Sequence, residues 1–542
     1  MIEAEVHLSL HNFLRSQAGF PSWPHHLTMA RLVARALRLE RSALIQVGAT
    51  CGYQGQYRTS FVAPALMWQQ PVIIVTPEPV QQRLLRVEIP RLKPWLQVNK
   101  PIRTGDTFPG GDFSGLFLTT PGAWLAAQLK GGENYPLGVP TIIDGVDDLE
   151  DWVREQLTLS IQPSDWDELM LACPLQAEEI RSARVLLTRE VYQHPANPYE
   201  CYLISEAELD ILNRLYRSLE FASLPSNWQK FWQQWQQGNQ KNLTPVVNTP
   251  ENQNGRLNGR LNPTPTSPPL LWTTIARRQG LFSLHCAPIE VGSILAPVWQ
   301  RQPVVLVGSA LEIEAEAPIF RERWQLGADL TCLKFAADRH TEAIQLYTPY
   351  QLPLPNTPQF QAGFIHQLRT LLCLSASTNG LTVVLVGDVP LKAQTGTILA
   401  SEFGSRVQVE KTCLDDNGIL VSGWEFWREH QSVLPAPRLL VIATLPMPSL
   451  EHPLVAARVA HYKRTHQDWF RKYLLPTALN ELQRAIAPLR EHQAVVALLD
   501  SRVLNRSYGS QVLTALSPLA RISYLEPNLF SPSPDDYQEG NG

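Results

Sequence analysis

A short acidic segment after an apolar run contains the residues best suited to bind a metal ion or to catalyse a reaction. Residues 139–152 read VPTIIDGVDDLEDW, so a β-type run ends on Asp144 and opens into a loop crowded with carboxylates. Strands deliver an aspartate in this way to a magnesium-bound phosphate. The next residue is Gly145, at the place where hydrolysis needs a glutamate to activate water. The segment therefore predicts a magnesium-type aspartate without its general base. An equally good interpretation is that the acids from Asp144 to Asp151 cap the N-terminus of a helix beginning at LEDWVREQL.

A glycine-rich segment after an earlier apolar run is the second candidate. Residues 46–66 read QVGATCGYQGQYRTSFVAPAL, and three glycines keep the segment flexible, at Gly48, Gly52 and Gly55. Loops of this kind cradle phosphates with backbone N–H groups, and a lysine reaches the β and γ phosphates. No lysine occurs here, and Arg58 and Thr59 are the nearest substitutes. The segment predicts either a degenerate phosphate loop or simply a glycine-rich turn, and the second interpretation is favoured.

Buried parallel strands are predicted to position both segments. Short runs of Val, Ile and Leu alternate with helical stretches, which is typical of strands covered on both faces. One group lies at 43–47, 72–76, 116–119 and 141–144. A second group lies at 382–387, 419–422, 439–443 and 495–500. Residues 303–314 add a strand that we expect to rejoin the first sheet, so two doubly wound α/β units are the simplest account.

A different pattern separates the two units. Residues 150–237 show helical periodicity without strand runs, which predicts a helical insertion. Within it Trp228, Trp232 and Trp235 share one helix face, a stripe more typical of core than of a base-stacking or partner-docking surface. Residues 238–269 are dense in Asn, Pro, Thr and Gly and predict a disordered linker.

Composition narrows the function classes. With 542 residues, 44% hydrophobic and 18% charged, the chain can form two to four domains with sizeable cores. Lys and Arg total 46 against 50 Asp and Glu, so any nucleic-acid surface must be a local patch. The seven cysteines never form CxxC, which argues against a disulfide framework and a zinc or iron–sulfur site. No apolar stretch suits a membrane span and no signal-peptide pattern is present, so we predict a cytoplasmic protein without a membrane partner.

Several segments resemble the superfamily-two helicases of the DinG and XPD branch. GWEFWREH (423–430) is similar to the SFWEG motif of that family, and LVIATLPMPSLEHPLVAARV (440–459) to its LP-F-P-x-P-x-x-P-L segment. VVALLDSRVLNRSYGSQVLTAL (495–516) resembles the strand and helix that close its second motor domain. FLTTPGAWLAAQL (117–129) resembles its TNHALL segment, and IIDGVDDLEDW (142–152) its DEAH box.

The resemblance implies an α/β fold with two RecA-like doubly wound parallel-sheet domains and an arch-like helical insertion in the first. The implied divisions are residues 1–149 for the first part of domain 1, 150–237 for the insertion, 238–269 for the linker, 270–330 for the return to domain 1, 331–526 for domain 2 and 527–542 for a disordered tail.

The resemblance also implies the site residues. Asp144 corresponds to the magnesium-type aspartate and Arg490 to the last arginine of the final helicase motif, where Gln483 matches as well. Ile486 and Ala487 stand where that motif has Gly-Arg, so the arginine finger is missing. The phosphate-loop lysine, the DEAH glutamate and the acid of the SFWEG motif are missing too, and together these losses argue against hydrolysis.

Nucleic-acid contact is the activity most readily retained by such a fold, because arginines hold phosphates and aromatic rings stack on bases. The candidates are aromatic or basic residues near the two motifs, Trp124, Trp424, Phe426, Trp427 and Arg428. Core and interdomain packing is the favoured alternative for each residue alone. By resemblance, single-stranded DNA is the expected partner, ATP and magnesium are doubtful cofactors, and no iron–sulfur cluster or other dedicated metal site is expected.

Three functions remain open from the sequence. The first is a DinG/XPD-like helicase-fold protein with impaired or absent ATP hydrolysis that acts as a nucleic-acid-binding or interaction module. The second is an active, divergent ATP-dependent DNA helicase. The third is a non-catalytic scaffold that binds a protein partner through the helical insertion. Whether the chain is an enzyme stays open at this stage.

Overall fold

The computed structural model describes most of the chain. The described residues are 2–17, 23–110, 112–131, 135–136, 138–240, 269–337, 343–376, 380–492, 494–522 and 524–526. The predicted linker lies outside them except for residues 238–240 and 269, and the predicted tail at 527–542 lies wholly outside. Within these ranges, no helix is both long and apolar enough to cross a membrane.

The strands are short and are numbered in chain order. They are β1 (Ala43–Gln46), β2 (Val72–Val75), β3 (Ile102–Thr104), β4 (Leu116–Thr119), β5 (Thr141–Asp144), β6 (Leu159–Ile161), β7 (Cys201–Leu203), β8 (Pro269–Ala276), β9 (Leu281–Pro288), β10 (Val304–Gly308), β11 (Thr331–Lys334), β12 (Ile344–Tyr347), β13 (Thr382–Leu385), β14 (Val407–Val409), β15 (Ile419–Ser422), β16 (Leu439–Ile442), β17 (Val495–Leu498) and β18 (Leu519–Ile522).

The α-helices cover the faces of the sheets and fill the insertion. They are α1 (Ile2–Ser16), α2 (His26–Leu39), α3 (Ala49–Gln54), α4 (Arg58–Met67), α5 (Glu78–Arg83), α6 (Ile89–Leu96), α7 (Pro121–Leu129), α8 (Leu149–Leu157), α9 (Pro163–Ala172), α10 (Ala177–Gln193), α11 (Glu206–Ser218), α12 (Ser226–Gln240), α13 (Ala296–Arg301), α14 (Pro318–Trp324), α15 (Phe360–Ser375), α16 (Val389–Phe403), α17 (Trp424–His430), α18 (Pro453–Arg464), α19 (Leu475–Ala485), α20 (Arg502–Asn505) and α21 (Gly509–Ala515).

The first sheet brings the two candidate segments together. Its seven strands are parallel in the order β11-β1-β10-β5-β2-β4-β3. Gln46 at the end of β1 pairs with Gly308, and Asp144 at the end of β5 pairs with Val307. Because parallel strands end at one edge of the sheet, the turns after β1, β5 and β10 lie side by side there.

The second sheet is also seven-stranded and parallel, in the order β14-β15-β13-β16-β17-β12-β18. All the apolar runs predicted as strands form strands, and the run at 303–314 rejoins the first sheet as β10. The predicted fold class, two doubly wound parallel-sheet domains, is confirmed. Strands β1, β2, β4, β5, β10, β13, β15, β16 and β17 are buried along their whole length, as expected for strands covered on both faces.

The insertion differs from the predicted helical segment. β6, β9, β8 and β7 form a four-stranded antiparallel sheet in that order, and it packs against α12. The insertion therefore runs from about Leu159 to about Pro288, whereas the prediction placed it at 150–237. α8 packs in the core of the first domain, and the chain returns to that domain after Pro288. β11 lies in the first sheet, although the prediction assigned residues from 331 onward to domain 2. Three-residue strands such as β6 and β7 leave too short a pattern to detect.

The tryptophan stripe lies in the core of the insertion, as the favoured interpretation predicted. Trp228, Trp232 and Trp235 are all buried. The ring centroid of Trp228 lies 4.9 Å from that of Trp166 on α9, and the indole N–H of Trp228 donates to the Asp165 carbonyl at 3.0 Å. The stripe therefore holds α12 against α9 and the antiparallel sheet.

Truncation of this core should destabilise the insertion. We expect Trp232→Ala to lower the free energy of unfolding by about 3–5 kcal/mol, because the ring is fully buried and its removal leaves a cavity. Urea unfolding followed by intrinsic fluorescence measures the change. Leu175→Ala is the control, since that side chain lies in the insertion and is 93% exposed. Equal losses from the two variants would contradict a core role for the stripe.

Candidate nucleotide cleft

The carboxylate of Asp144 lies buried at the shared edge of the first sheet and is fully engaged. Nε of Arg58 donates to Oδ2 at 2.9 Å, the hydroxyl of Tyr57 donates to Oδ1, and the hydroxyl of Thr76 lies 3.4 Å from Oδ2. Burial alone would lower the pKa of Arg58, but the adjacent carboxylate more than offsets it and raises that pKa. The result is an internal ion pair at the position predicted for a metal ion.

The glycine-rich segment is folded against its own domain. Gly48 and Gly55, with φ of +88° and +70°, flank the short helix α3. The N–H of Gly48 donates to the Ser309 carbonyl, that of Gly52 to the Gly48 carbonyl and that of Gly55 to the Cys51 carbonyl, each at 2.9 Å. These glycine amides therefore bond to the protein itself, whereas a phosphate loop directs its amides toward an anion.

Close packing removes the remaining space around α3. A Cβ atom on Gly52 would lie 2.3 Å from Cβ of Ser309, and one on Gly55 would lie 2.1 Å from Nη1 of Arg58. The guanidinium thus lies directly over Gly55, inside the glycine-rich segment. On the other side, α3 packs against α19, and the Tyr53 hydroxyl donates to the carbonyl of Gln431 in the second domain at 3.1 Å.

Thr59 bonds away from the aspartate. Its hydroxyl lies 3.2 Å from Nδ1 of His26 and donates to the Gln56 carbonyl at 3.2 Å. Nδ1 of His26 also lies 2.8 Å from the hydroxyl of Ser60. Burial lowers the pKa of His26 to about 4, so the ring is neutral at physiological pH and serves the packing of α2 on α4.

The other aspartates of the acidic turn hold neighbouring elements. Asp147 accepts from the N–H and hydroxyl of Ser309 at 2.7 and 2.8 Å and from the N–H of Ala310 at 3.0 Å. Asp148 accepts from Nη1 of Arg484 in the second domain at 2.6 Å. Asp148 makes no side-chain capping bond to α8, so the predicted N-cap role of this turn is not what positions it. The turn links β10 and α19 instead.

A cavity of about 420 Å³ lies between the acidic turn, the insertion and the second domain. Glu150 forms the centre of its charged wall and accepts from Arg154 and Arg323 at 3.0 Å and from Arg458 at 2.6 Å. Burial alone would raise the pKa of Glu150, but the three arginines hold it well below its usual range. Each guanidinium here has a carboxylate partner, so the wall forms a compensated ion network.

The structure corrects the predicted role of Arg490. This side chain is buried and donates to the backbone carbonyls of Leu516 at 2.9 Å and Pro518 at 3.1 Å, which fixes the turn before β18. The arginine that reaches the acidic turn is Arg484. Sequence reasoning missed it because it follows Gln483 directly, out of register with the helicase motif, and its basic charge within that segment was the available signal.

Two of the predicted base-stacking residues are inaccessible. Trp124 and Trp427 are each 1% exposed, and the indole N–H of Trp427 donates to the Ala485 carbonyl at 3.1 Å. A buried ring cannot stack on a base, so these two predictions are wrong for this conformation and the packing alternative holds. Trp424 and Phe426 are half-buried, and the Phe426 ring stacks on His430 with centroids 4.2 Å apart.

Arg428, the fifth nucleic-acid candidate, lies in the interdomain cavity. Its Nη1 lies 3.7 Å from a carboxylate oxygen of Glu481 and 4.0 Å from one of Asp151. The residue therefore belongs to the ion network between the domains. Both contacts are long, which makes Arg428 the most loosely held arginine of that network.

In this structure the groups of the cleft that a magnesium-bound triphosphate would use are engaged by the protein itself. The aspartate that would hold the metal carries an arginine, and the glycine amides that would hold phosphate bond to carbonyls. Among the described residues, no group of three or more His, Cys, Asp or Glu side chains is placed to hold a metal ion. Nucleotide entry would require the pair of Arg58 with Asp144 to separate.

Comparisons with known proteins agree with this architecture. Residues 435–519 match the model of a helicase C-terminal domain. The ATP-dependent helicase DinG of Mycobacterium tuberculosis is 24% identical over 252 residues, which cover 43% of this chain and 38% of that protein. The ATP-dependent DNA helicase YoaA of Escherichia coli K12 is 29% identical over 108 residues, covering 19% of this chain and 17% of its own. This chain therefore spans well under half the length of these relatives.

Solved structures extend the likeness to the whole fold. An XPD helicase structure superposes with a TM-score of 0.57 at 11% identity, covering 93% of this chain and all of its own. The structure of Xpd4 from S. tokodaii gives 0.55 at 12% identity, covering 92% of this chain and all of its own. The fold is therefore that of the XPD helicase structures, and residues 435–519 in the second domain match a helicase C-terminal domain.

Removal of the buried arginine should destabilise the protein, because it leaves the aspartate without its partner. We expect Arg58→Met to lower the free energy of unfolding by about 3–5 kcal/mol, because Asp144 keeps a charge with no cation beside it. Chemical denaturation of the purified chain measures the loss. The matched control is Arg83→Met, which removes a half-exposed arginine from its pair with Glu88 and should cost less than about 1 kcal/mol. A near-neutral Arg58→Met would show that the ion pair has little structural weight.

Proposed function

We propose that this chain is a DinG/XPD-like helicase-fold protein that does not hydrolyse ATP as a motor does and acts as a nucleic-acid-binding or interaction module. The observation that carries the proposal is the Arg58 guanidinium on the Asp144 carboxylate, inside the glycine-rich segment. It supports a cleft in which the charge of the aspartate is compensated by an arginine of the protein and not by a metal ion.

Hydrolysis needs groups that this cleft has committed elsewhere. Asp144, Asp147 and Asp148 hold other residues, and Gly145 has no side chain to activate water. Loss of a general base costs about two to four orders of magnitude in rate. Loss of an arginine finger costs about three to five orders. Arg484 reaches the turn but is paired with Asp148, so it has no free charge to offer a γ phosphate.

Nucleotide binding is disfavoured for a related reason. A triphosphate must first separate the buried pair of Arg58 and Asp144. Whatever part of that interaction the new contacts to phosphate and magnesium do not replace is subtracted from the binding free energy, and each loss of about 1.4 kcal/mol weakens the affinity tenfold.

A basic and aromatic surface on the second domain supports the nucleic-acid part of the proposal. Lys463 and Arg464 at the end of α18 are exposed, and Nζ of Lys463 lies 5.3 Å from the ring centroid of Trp469. Arg471 is also exposed nearby. Cations beside a partly exposed indole are what single-stranded nucleic acid requires for phosphate and base contacts. The relatives DinG and YoaA are helicases, which favours nucleic acid as the partner of this chain as well.

An ATPase assay decides between this proposal and an active helicase, the function that the names of the relatives favour. We expect no turnover above background with Mg-ATP, with or without single-stranded DNA, and no saturable binding of a fluorescent ATP analogue at about micromolar concentration. Asp144→Asn is the matched variant. Turnover near one per second that disappears in this variant would overturn the proposal.

Binding to a labelled single-stranded oligonucleotide tests the retained activity. We expect affinity to fall steeply between low and moderate salt, because phosphate contacts release counterions. The double variant Lys463→Glu and Arg464→Glu should weaken binding at least tenfold at low salt, as about two phosphate contacts are lost. The control is Lys93→Glu on α6, an exposed cation in the other domain. Absence of binding by the wild type at low salt would favour the protein scaffold.

A further inference from the structure

Arg458 on α18 lies where the two domains and the insertion meet. Its Nη1 donates to Glu150 on α8 of the first domain at 2.6 Å, and its Nε lies 3.5 Å from a carboxylate oxygen of Glu290, which follows β9 of the insertion. The guanidinium carbon lies 4.0 Å from the ring centroid of Tyr473 in its own domain. One buried side chain of the second domain therefore contacts the first domain just before and just after the insertion.

Polar contacts connect the two domains on both sides of Arg458. Arg484 pairs with Asp148 at 2.6 Å, and Lys472 pairs with Glu322 on α14 at 2.6 Å. Arg323, which already holds Glu150, donates through Nη2 to the backbone carbonyl of Lys472 at 3.0 Å. The first and second domains are thus joined by charged groups distributed along α8, α14, α18 and α19.

The insertion is fastened to the second domain by ring and apolar contacts. The ring of Tyr199 lies 4.6 Å from that of His452, just before α18. Leu454 on α18 packs against the small buried cluster that contains Trp272 of β8. These contacts and the pair of Arg458 with Glu290 place the start of α18 against the antiparallel sheet.

Charge compensation explains why this junction is stable. Glu150 is shared by three arginines, two from the first domain and Arg458 from the second, at 3.0 Å or less. Arg458 is itself buried, and its hydrogen bond to Glu150 joins two charged groups, which makes it stronger than a bond between neutral groups. In nucleotide-driven motors the bound phosphate bridges the two domains; here carboxylates of the first domain take the arginines and the lysine of the second.

We propose that these ion pairs, centred on Arg458 and Glu150, form a built-in clamp that keeps the second domain closed on the first domain and the insertion without nucleotide. A protein held closed in this way does not go through the opening and closing cycle of a motor. The clamp does not depend on the proposed function, since a chain that bound nucleic acid, a protein or even ATP would still be held closed.

The clamp is tested by Arg458→Met in the full chain. Glu150 keeps Arg154 and Arg323 in this variant, so the first domain retains a compensated charge and only the link between domains is lost. We expect a larger radius of gyration by small-angle X-ray scattering and about tenfold or faster hydrogen exchange in α8 and α18, with β13 and β16 unchanged. Arg277→Met is the control, because it removes an ion pair with Glu200 within the insertion.

Two comparisons complete the test. The wild type should scatter identically with and without Mg-AMPPNP, whereas closure that requires the nucleotide would overturn the proposal. Scattering and exchange in Arg458→Met equal to those of the wild type would overturn it as well. If Arg458→Met also loses protection in β13 and β16, Arg484→Gln decides at the neighbouring contact: faster exchange confined to α8 and α19 supports the clamp, and unchanged exchange contradicts it.

Discussion

A carboxylate buried at the end of a parallel strand requires a cation, and the identity of that cation sets the character of this protein. In a nucleotide-driven motor the aspartate after this strand faces a metal ion bound to phosphate. Here Asp144 takes the guanidinium of Arg58, which comes from the same glycine-rich segment that would otherwise surround phosphate. In this structure the charge of Asp144 is therefore compensated within the fold.

The other carboxylates of the acidic turn are likewise paired with groups of the protein. Asp147 holds the turn after β10, Asp148 holds Arg484, and Glu150 gathers three arginines. These acids therefore connect the first domain to the second. The sheet edges meet at these turns, and the acids of the turns bond to residues of the neighbouring elements on both sides of the interface.

Sequence patterns predicted the sheets well and the site only in part. Apolar runs such as 382–387 and 495–500 predict strands reliably, because a strand covered on both faces admits few polar residues. Missing chemical groups, such as the loop lysine, were equally visible. The burial of Trp124 and Trp427 was not, since an aromatic residue near a motif has the same letter whether it faces solvent or core. The strands β6 and β7 were too short to carry a pattern.

The sequence by itself determined the two parallel sheets, the relation to helicases and the absence of several hydrolytic groups, because these depend on residue type and local periodicity. Only the tertiary structure decided which charges meet. Arg58 with Asp144, and Arg458 with Glu150, are separated by 86 and 308 positions, and no local signal links such residues. Ion pairing between distant segments depends on how the chain packs, and that packing makes the acids structural here.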